Sequence, residues 1–291
     1  MKVLFQSRNT LFSVPGGDTI QIEKTAEALR ARGCQVDIST DLAPDVSDYD
    51  VVHLFNLMRP QDVYLQAVNA KRQGKKIALS TIYGPYSEYE KRARSGPAGL
   101  IARMLPHPAV EYLKIGARAL KNFEFNRGTL LVLSKGYNTV KKHIADIVDV
   151  FLPNSDSEMK RVVADHGLGN PRHVVVPNAV DKEIFDSDKV DISEETMKFR
   201  DCVLCVARIE GRKCQLDLVR ALGGLPYKLV LIGKPAPNHM RYYERIKRQA
   251  GDKVVLLGHV DHDLLPQFYK AAKVHCLVSW METPGLSSLP V

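Results

Sequence analysis

Short apolar runs alternate with longer amphipathic stretches along the whole chain. "KVLFQS" (2–7), "DVVHLF" and "KIALST" are short, largely apolar runs, the pattern of strands in a parallel sheet covered on both faces, and "QVDIS" reads as a further short strand. After the first of them, the glycine-rich "SVPGGDT" opens a helix that carries Ile22, Ala26 and Leu29 on one face and stops at Gly33. A second helix is expected near 61–73 and a third near 137–147. "VDVFLPNS" reads as a strand, Asn154 or Ser155 caps a helix over "DSEMKRVVADHG", and "HVVVPNAV" reads as the next strand. A second series then begins: "CVLCVAR", a helix over 213–222, "KLVLIG", a helix over 239–250, "KVVLLG", a helix over 262–272, and "VHCLVS". Alternation of this kind predicts α/β architecture, with parallel sheets covered by helices.

The two series are separated by "DKEIFDSDKVDISEETMKFRD", which is polar and poor in large apolar residues. The expected organisation is a doubly wound, Rossmann-like domain over 1–185, a linker over 186–199 and a second such domain over 200–291, the two facing a cleft. Residues 86–126 interrupt the first domain as a basic helical insertion. The second domain has four strand signals, and the last leads straight into the closing "METPGLSSLPV", so it reads as incomplete.

Composition narrows the class. With 45% hydrophobic and 25% charged residues, the chain has the make-up of a soluble globular protein. No apolar run reaches the roughly 18 residues that a membrane span needs. "MKVLFQSRNT" reads as a first strand rather than a signal peptide, so a cytoplasmic protein is expected. The five cysteines are too scattered for a disulfide framework, and the Cys202–Cys205 spacing lies inside a strand signal, where core packing explains it. The net charge of +8 draws attention to residues 91–121, with seven basic residues, one acid and interleaved Leu, Ile, Met and Tyr. An anionic membrane surface is favoured over nucleic acid as the partner of this segment, since no nucleic-acid module accompanies it. A solvated helix face is the alternative.

Open parallel sheets bind ligands beyond the carboxyl ends of their strands, so the loops there carry the candidate chemistry. In "VARIEGRKCQL", Arg208 leaves the strand and Lys213 stands at the start of the next helix, a pairing suited to phosphate or diphosphate. In "WMETPGL", Glu282 is placed to accept hydrogen bonds from hydroxyls, and the N–H groups of Gly285 and Leu286 enter a helix facing an anion. In "SVPGGDT", Gly16 and Gly17 allow close approach of backbone amides to an anion; a plain glycine turn is the alternative.

Five segments occur together and in order: "PGG", "FLPNSDSEMKRVV", "VVVPNAVDKEIF", "VARIEGRK" and "ETPGLSSL". In this the chain resembles the GT-B glycosyltransferases of glycosyltransferase family 4 over nearly its whole length. The resemblance implies transfer of a sugar from a nucleotide-sugar donor, with retention and without a metal or other cofactor. The acceptor would be a polysaccharide or a lipid-linked, membrane-associated molecule, the enzyme lying on the inner face of the membrane. It implies that Arg208 and Lys213 hold the donor diphosphate and that Glu282 contacts the donor sugar. Pro284, Gly285 and Leu286 would meet sugar and phosphate, Gly258, His259 and Val260 would border the base, and Gly16, Gly17 and Tyr83 would act from the first domain. Three positions depart from the family pattern. Tyr83 stands where a His is common, Pro284 where a Phe is usual, and Pro290 where a second Glu grips the ribose. With the early end of the chain, Pro290 reads as a C-terminal truncation. A non-catalytic GT-B-like binding or scaffolding subunit, or an inactive truncated product, is the competing function class.

Overall fold

A computed structural model describes residues 1–13, 15–84, 87–92, 97–105, 107–122, 127–282 and 285–290. They form two compact units, the first made of Met1–Ser87 with Pro97–Asn178, the second of Glu88–Gly96 with Ala179–Val291.

The first unit contains β1 (Lys2–Gln6), α1 (Gly17–Ala31), β2 (Gln35–Ser39), β3 (Val51–Phe55), α2 (Pro60–Arg72) and β4 (Lys76–Ser80). The short α3 (Ser87–Arg92) follows and lies mostly in the second unit. The first unit resumes with α4 (Pro97–Met104), α5 (His107–Asn122), α6 (Arg127–Lys135), α7 (Tyr137–Ile147), β5 (Val150–Phe151) and α8 (Asp156–His166). Its sheet is parallel throughout, in the order β2-β1-β3-β4-β5. Successive strand residues face opposite sides, and the core divides accordingly. Val3 and Phe5 pack with Ile22 and Ala26 of α1, whereas Leu4 packs on the other side with Val63 and Ala67 of α2 and Val140 and Ile144 of α7. The basic insertion is helical where it is described, as α3, α4 and α5. Residues 86, 93–96, 106 and 123–126 of that segment lie outside the described residues.

The helix over 156–166 starts as its sequence predicts. Ser155 is the N-cap, and its hydroxyl accepts from the Glu158 N–H at 3.1 Å. "HVVVPNAV", expected as a strand, makes a single parallel bridge instead, His173 to Phe151. Phe151 donates its N–H to Arg172, and Val174 and Val176 donate to the carbonyls of Phe151 and Pro153. The ladder stops there because Pro153 has no N–H to return. The valines remain exposed, Val174 by 55% and Val176 by 44%.

The second unit contains α9 (Glu194–Met197), β6 (Val203–Val206), α10 (Gln215–Leu222), β7 (Leu229–Ile232), α11 (Met240–Gln249), β8 (Val254–Gly258), α12 (Leu265–Ala271) and β9 (Val274–His275). Its four strands run parallel in the order β8-β7-β6-β9. Cys205 packs with Leu216, Val219 and Ile246 on one side of the sheet, and Cys202 packs with Phe268 on the other. The two thiols therefore face opposite ways. Burial pushes Cys202 up to about 11 and Cys205 up to about 12, as befits inert core groups. The polar stretch between the strand series packs onto this second unit. Phe185 meets His262 and Tyr269 edge-on, and Phe199 stacks on Phe268.

Gly128 of α6 lies so close to α2 that an added Cβ would sit 2.1 Å from the Gln61 carbonyl oxygen. Gly128→Ala should therefore lower stability by about 1–3 kcal/mol, the usual cost of overpacking. Gly116→Ala in α5, with nothing within 4 Å, serves as the harmless control in urea unfolding.

Candidate functional site

The site in the second unit is assembled from the ends of β6 and β9. After β6 the chain is pinned by its neighbour: Ile209 donates to the Lys234 carbonyl, and Ala236 donates back to Ile209. Ile209 is buried and anchors the turn, while Arg208 beside it is exposed and its carbonyl accepts from Gln215 Nε2 at 3.0 Å. Gly211–Lys213 then form one turn of 3-10 helix, and Cys214 takes a left-handed conformation at φ 53° before α10 begins at Gln215. Lys213, expected at the helix start, thus ends the 3-10 turn two residues before it. This break turns its side chain toward the loop after β9.

That loop is held by the same turn. Trp280 donates its N–H to the Arg212 carbonyl at 3.0 Å. Arg212 reaches the Met281 carbonyl at 3.3 Å with one guanidinium nitrogen and Glu210 at 2.5 Å with another. Lys213 pairs directly with the Glu282 carboxylate, 69 residues away in sequence, with the two side chains only 11% and 25% exposed. Burial and the neighbouring Arg212 lower the Lys213 ammonium from its ordinary value, with Glu282 pulling the other way. Charges of both signs therefore interlock here in a partly water-excluded setting, where each interaction is stronger than at an open surface.

The remaining expected residues fall in different surroundings. Gly285 packs tightly, since an added Cβ would lie 2.7 Å from Leu277 Cδ2 and 3.3 Å from Glu282 Cγ. Leu286 begins a single 3-10 turn, Leu286–Ser288, with Gly285 as its N-cap. Pro284 lies outside the described residues. Gly258 accepts from the Gly233 N–H at 2.6 Å, His259 is exposed beside Asp261 at 3.4 Å, and Val260 packs partly buried against the core. Asp261 and Asp263 follow β8 as an Asp-x-Asp pair, but their side chains are 80% and 91% exposed. Among the described residues, no group of three or more His, Cys, Asp and Glu side chains is arranged to hold a metal ion.

In the first unit Gly16 is the N-cap of α1, and its N–H donates to the Thr19 hydroxyl at 3.0 Å. Gly17 is the first helical residue. The loop before them is clamped by a two-pronged pair, Arg8 to both Asp18 oxygens at 2.8 and 3.1 Å, with Asn56 adding a third bond. Burial opposes the ionised Asp18, but Arg8 and Asn56 outweigh it and hold the carboxyl below its usual range. Tyr83 is buried at 3% exposure and donates its hydroxyl to Asp165 at 2.9 Å, and burial raises its phenol.

Several contributors were missed by the sequence reading. Glu158 gathers Thr81 Oγ1, the Tyr83 N–H and the Asn154 N–H onto its carboxylate. The Ser155-x-x-Glu158 spacing was a usable signal for it, because a residue three after an N-cap reaches back toward the cap. Arg212 and Tyr89 carried no signal. The Tyr89 hydroxyl, contributed by α3, would lie 2.6 Å from a Cβ placed on Gly211.

Residues 188–289 match the family model for glycosyl transferases group 1. That match spans β6 to β9 and includes Arg208, Lys213 and Glu282. No curated protein matches the chain in sequence. Among solved structures it is similar to HepE of Anabaena in complex with UDP, at 14% identity and TM-score 0.62, over 96% of this chain and 74% of that one. It is similar to the sucrose-phosphate synthase of Thermosynechococcus elongatus at 15% identity and TM-score 0.68, over 100% and 78%. The lipopolysaccharide outer core galactosyltransferase WaaB gives 14% identity and TM-score 0.55, over 99% and 77%. These likenesses show the fold, the α/β arrangement of parallel sheets found in GT-B glycosyltransferases.

Gly233 supports the site from the strand beside β6. Its φ is +143°, and a Cβ there would sit 2.1 Å from the Ala207 carbonyl oxygen and 3.3 Å from the Arg208 nitrogen. Gly233→Ala should cost about 2–3 kcal/mol in thermal unfolding through backbone strain. Gly224→Ala, which meets nothing within 4 Å, should stay near neutral.

Proposed function

We propose that this chain is a glycosyltransferase that moves a sugar from a nucleotide-sugar donor with retention of configuration. The observation that carries this reading is the meeting of Lys213 and Glu282 from the loops that leave the adjacent parallel strands β6 and β9, the first of which also carries Arg208. Arg208 and Lys213 hold the donor diphosphate. As the bond from sugar to phosphate breaks, negative charge gathers on the leaving diphosphate, and cations already in place stabilise it without reorganising. Glu282 accepts hydrogen bonds from the donor sugar and orients it, and backbone at Gly285 and Leu286 adjoins it. Gly258, His259 and Val260 border the base, and Gly16 and Gly17 serve the substrate side of the first unit; Tyr83, enclosed with its hydroxyl on Asp165, is not assigned to substrate. The group 1 family match over this unit supports the donor assignment, and the UDP complex of HepE suggests the first nucleotide to try.

Calorimetric titration with uridine diphosphate tests the reading. Binding should weaken at least tenfold in Arg208→Ala, as expected for a lost charge-assisted contact of about 1.4 kcal/mol or more. Arg248→Ala, an exposed cation at the end of α11, should not change it. Equal losses in both would refute the site. Transfer is metal-independent on this reading, so a chelator should leave turnover unchanged.

The acceptor is a polysaccharide or a lipid-linked molecule, reached by a protein resting on an anionic membrane surface through residues 91–121. No described helix is long and apolar enough to cross a membrane. Support comes from α4, where Leu100, Ile101 and Met104 are 60%, 43% and 75% exposed beside the exposed Arg103. Cations interleaved with exposed apolar groups suit a surface helix on acidic lipid. Co-sedimentation with liposomes should require acidic lipid and fall as salt rises. Equal pelleting with neutral lipid would reduce the segment to a solvated face.

A further inference from the structure

We infer that Glu282 is a built-in counter-ion of the diphosphate site: its carboxylate and a diphosphate compete for the Lys213 ammonium, so donor binding is an ion exchange. The inference rests on the proposed function, in that Lys213 is taken to hold a diphosphate.

Two observations and one chemical requirement carry it. First, the cations of this turn are engaged by carboxylates from within the same cluster. Lys213 is bonded to Glu282 and Arg212 to Glu210. A diphosphate brought to Lys213 meets the Glu282 carboxylate at close range, and the two anions repel one another most strongly where water is scarce.

Second, the loop can release the carboxylate without moving its backbone. Trp280 is tied to the Arg212 carbonyl, and the Arg212 side chain is tied to the Met281 carbonyl, so the main chain is riveted just before Glu282. On the other side, the position a Gly285 Cβ would take lies 3.3 Å from Glu282 Cγ and 3.6 Å from its Cβ, so the stem of the glutamate rests against the glycine. The carboxylate head is the part that can swing.

Third, a displaced carboxylate needs new donors. The hydroxyls of the donor sugar supply them; a nucleoside diphosphate without its sugar does not. The exchange therefore favours the sugar-bearing substrate over the spent nucleotide at the same cations, and it loosens the product after transfer.

Inorganic pyrophosphate is the probe, because it presents the diphosphate with neither base nor sugar. In calorimetric titration of the full chain, Glu282→Gln should bind pyrophosphate about tenfold more tightly than the unaltered protein, the scale of one charge-assisted contact. Glu282→Asp, which keeps the charge on a shorter stem, should gain less, and it stands in if the Gln variant fails to fold. The gain should vanish when Lys213→Gln is combined with Glu282→Gln. Unchanged or weaker binding in Glu282→Gln, with Arg208→Gln still weakening pyrophosphate, would overturn the exchange and leave the anion site standing. No pyrophosphate binding in any of these proteins would overturn the diphosphate reading itself, and the exchange with it.

Discussion

Parallel pairing is the constraint on which both units depend. A parallel ladder points the carboxyl ends of all its strands the same way, and each connection must return over a face of the sheet. The loops that leave those ends are thus gathered along one edge. In the first unit this edge collects Arg8 after β1, Asn56 after β3 and Thr81 after β4. In the second it collects Arg208 after β6, Gly233 after β7 and, through the loop beyond β9, Glu282.

The two edges treat charge differently. In the first unit the acids are settled by bonds that serve architecture. Glu158 is buried and satisfied by a hydroxyl and two backbone N–H groups, so it joins the end of β4 to the cap of α8. Asp18 is fixed by Arg8 in two-pronged geometry, which is rigid as well as strong. At the second edge the partners are a flexible lysine and a glutamate on a loop. Such a pair keeps its place with less geometric demand, and a ligand of the right charge can rearrange it.

Much of this was legible in the sequence. The apolar runs located the inner strands β1, β3, β4, β6 and β7, because a strand buried on two faces leaves no polar alternation to confuse it. The helix over 156–166 announced its start through Ser155. What was not legible is contact between residues distant in sequence. Arg208, Lys213 and Glu282 were identifiable by their positions at strand ends, but nothing in the spacing showed that Lys213 would bond Glu282 across 69 residues. The break at Cys214 was hidden as well, since a left-handed cysteine has no local signature. Tyr83 looked like a strand-end group, and only the packing of α7 and α8 shows it enclosed, with the Lys141 ammonium 5.0 Å over its ring.

The proline that ends pairing at β5 has a consequence for how the molecule behaves in a crowd. A sheet margin with a regular row of donors and acceptors invites a strand from another chain, the first step toward aggregation. Here Pro153 removes a donor from that margin, and the neighbouring segment is itself bounded by Pro171 and Pro177. The exposed valines between them lie on a stretch too interrupted to serve as a template. Three prolines thus act as gatekeepers, sealing one border of the first sheet without a covering helix.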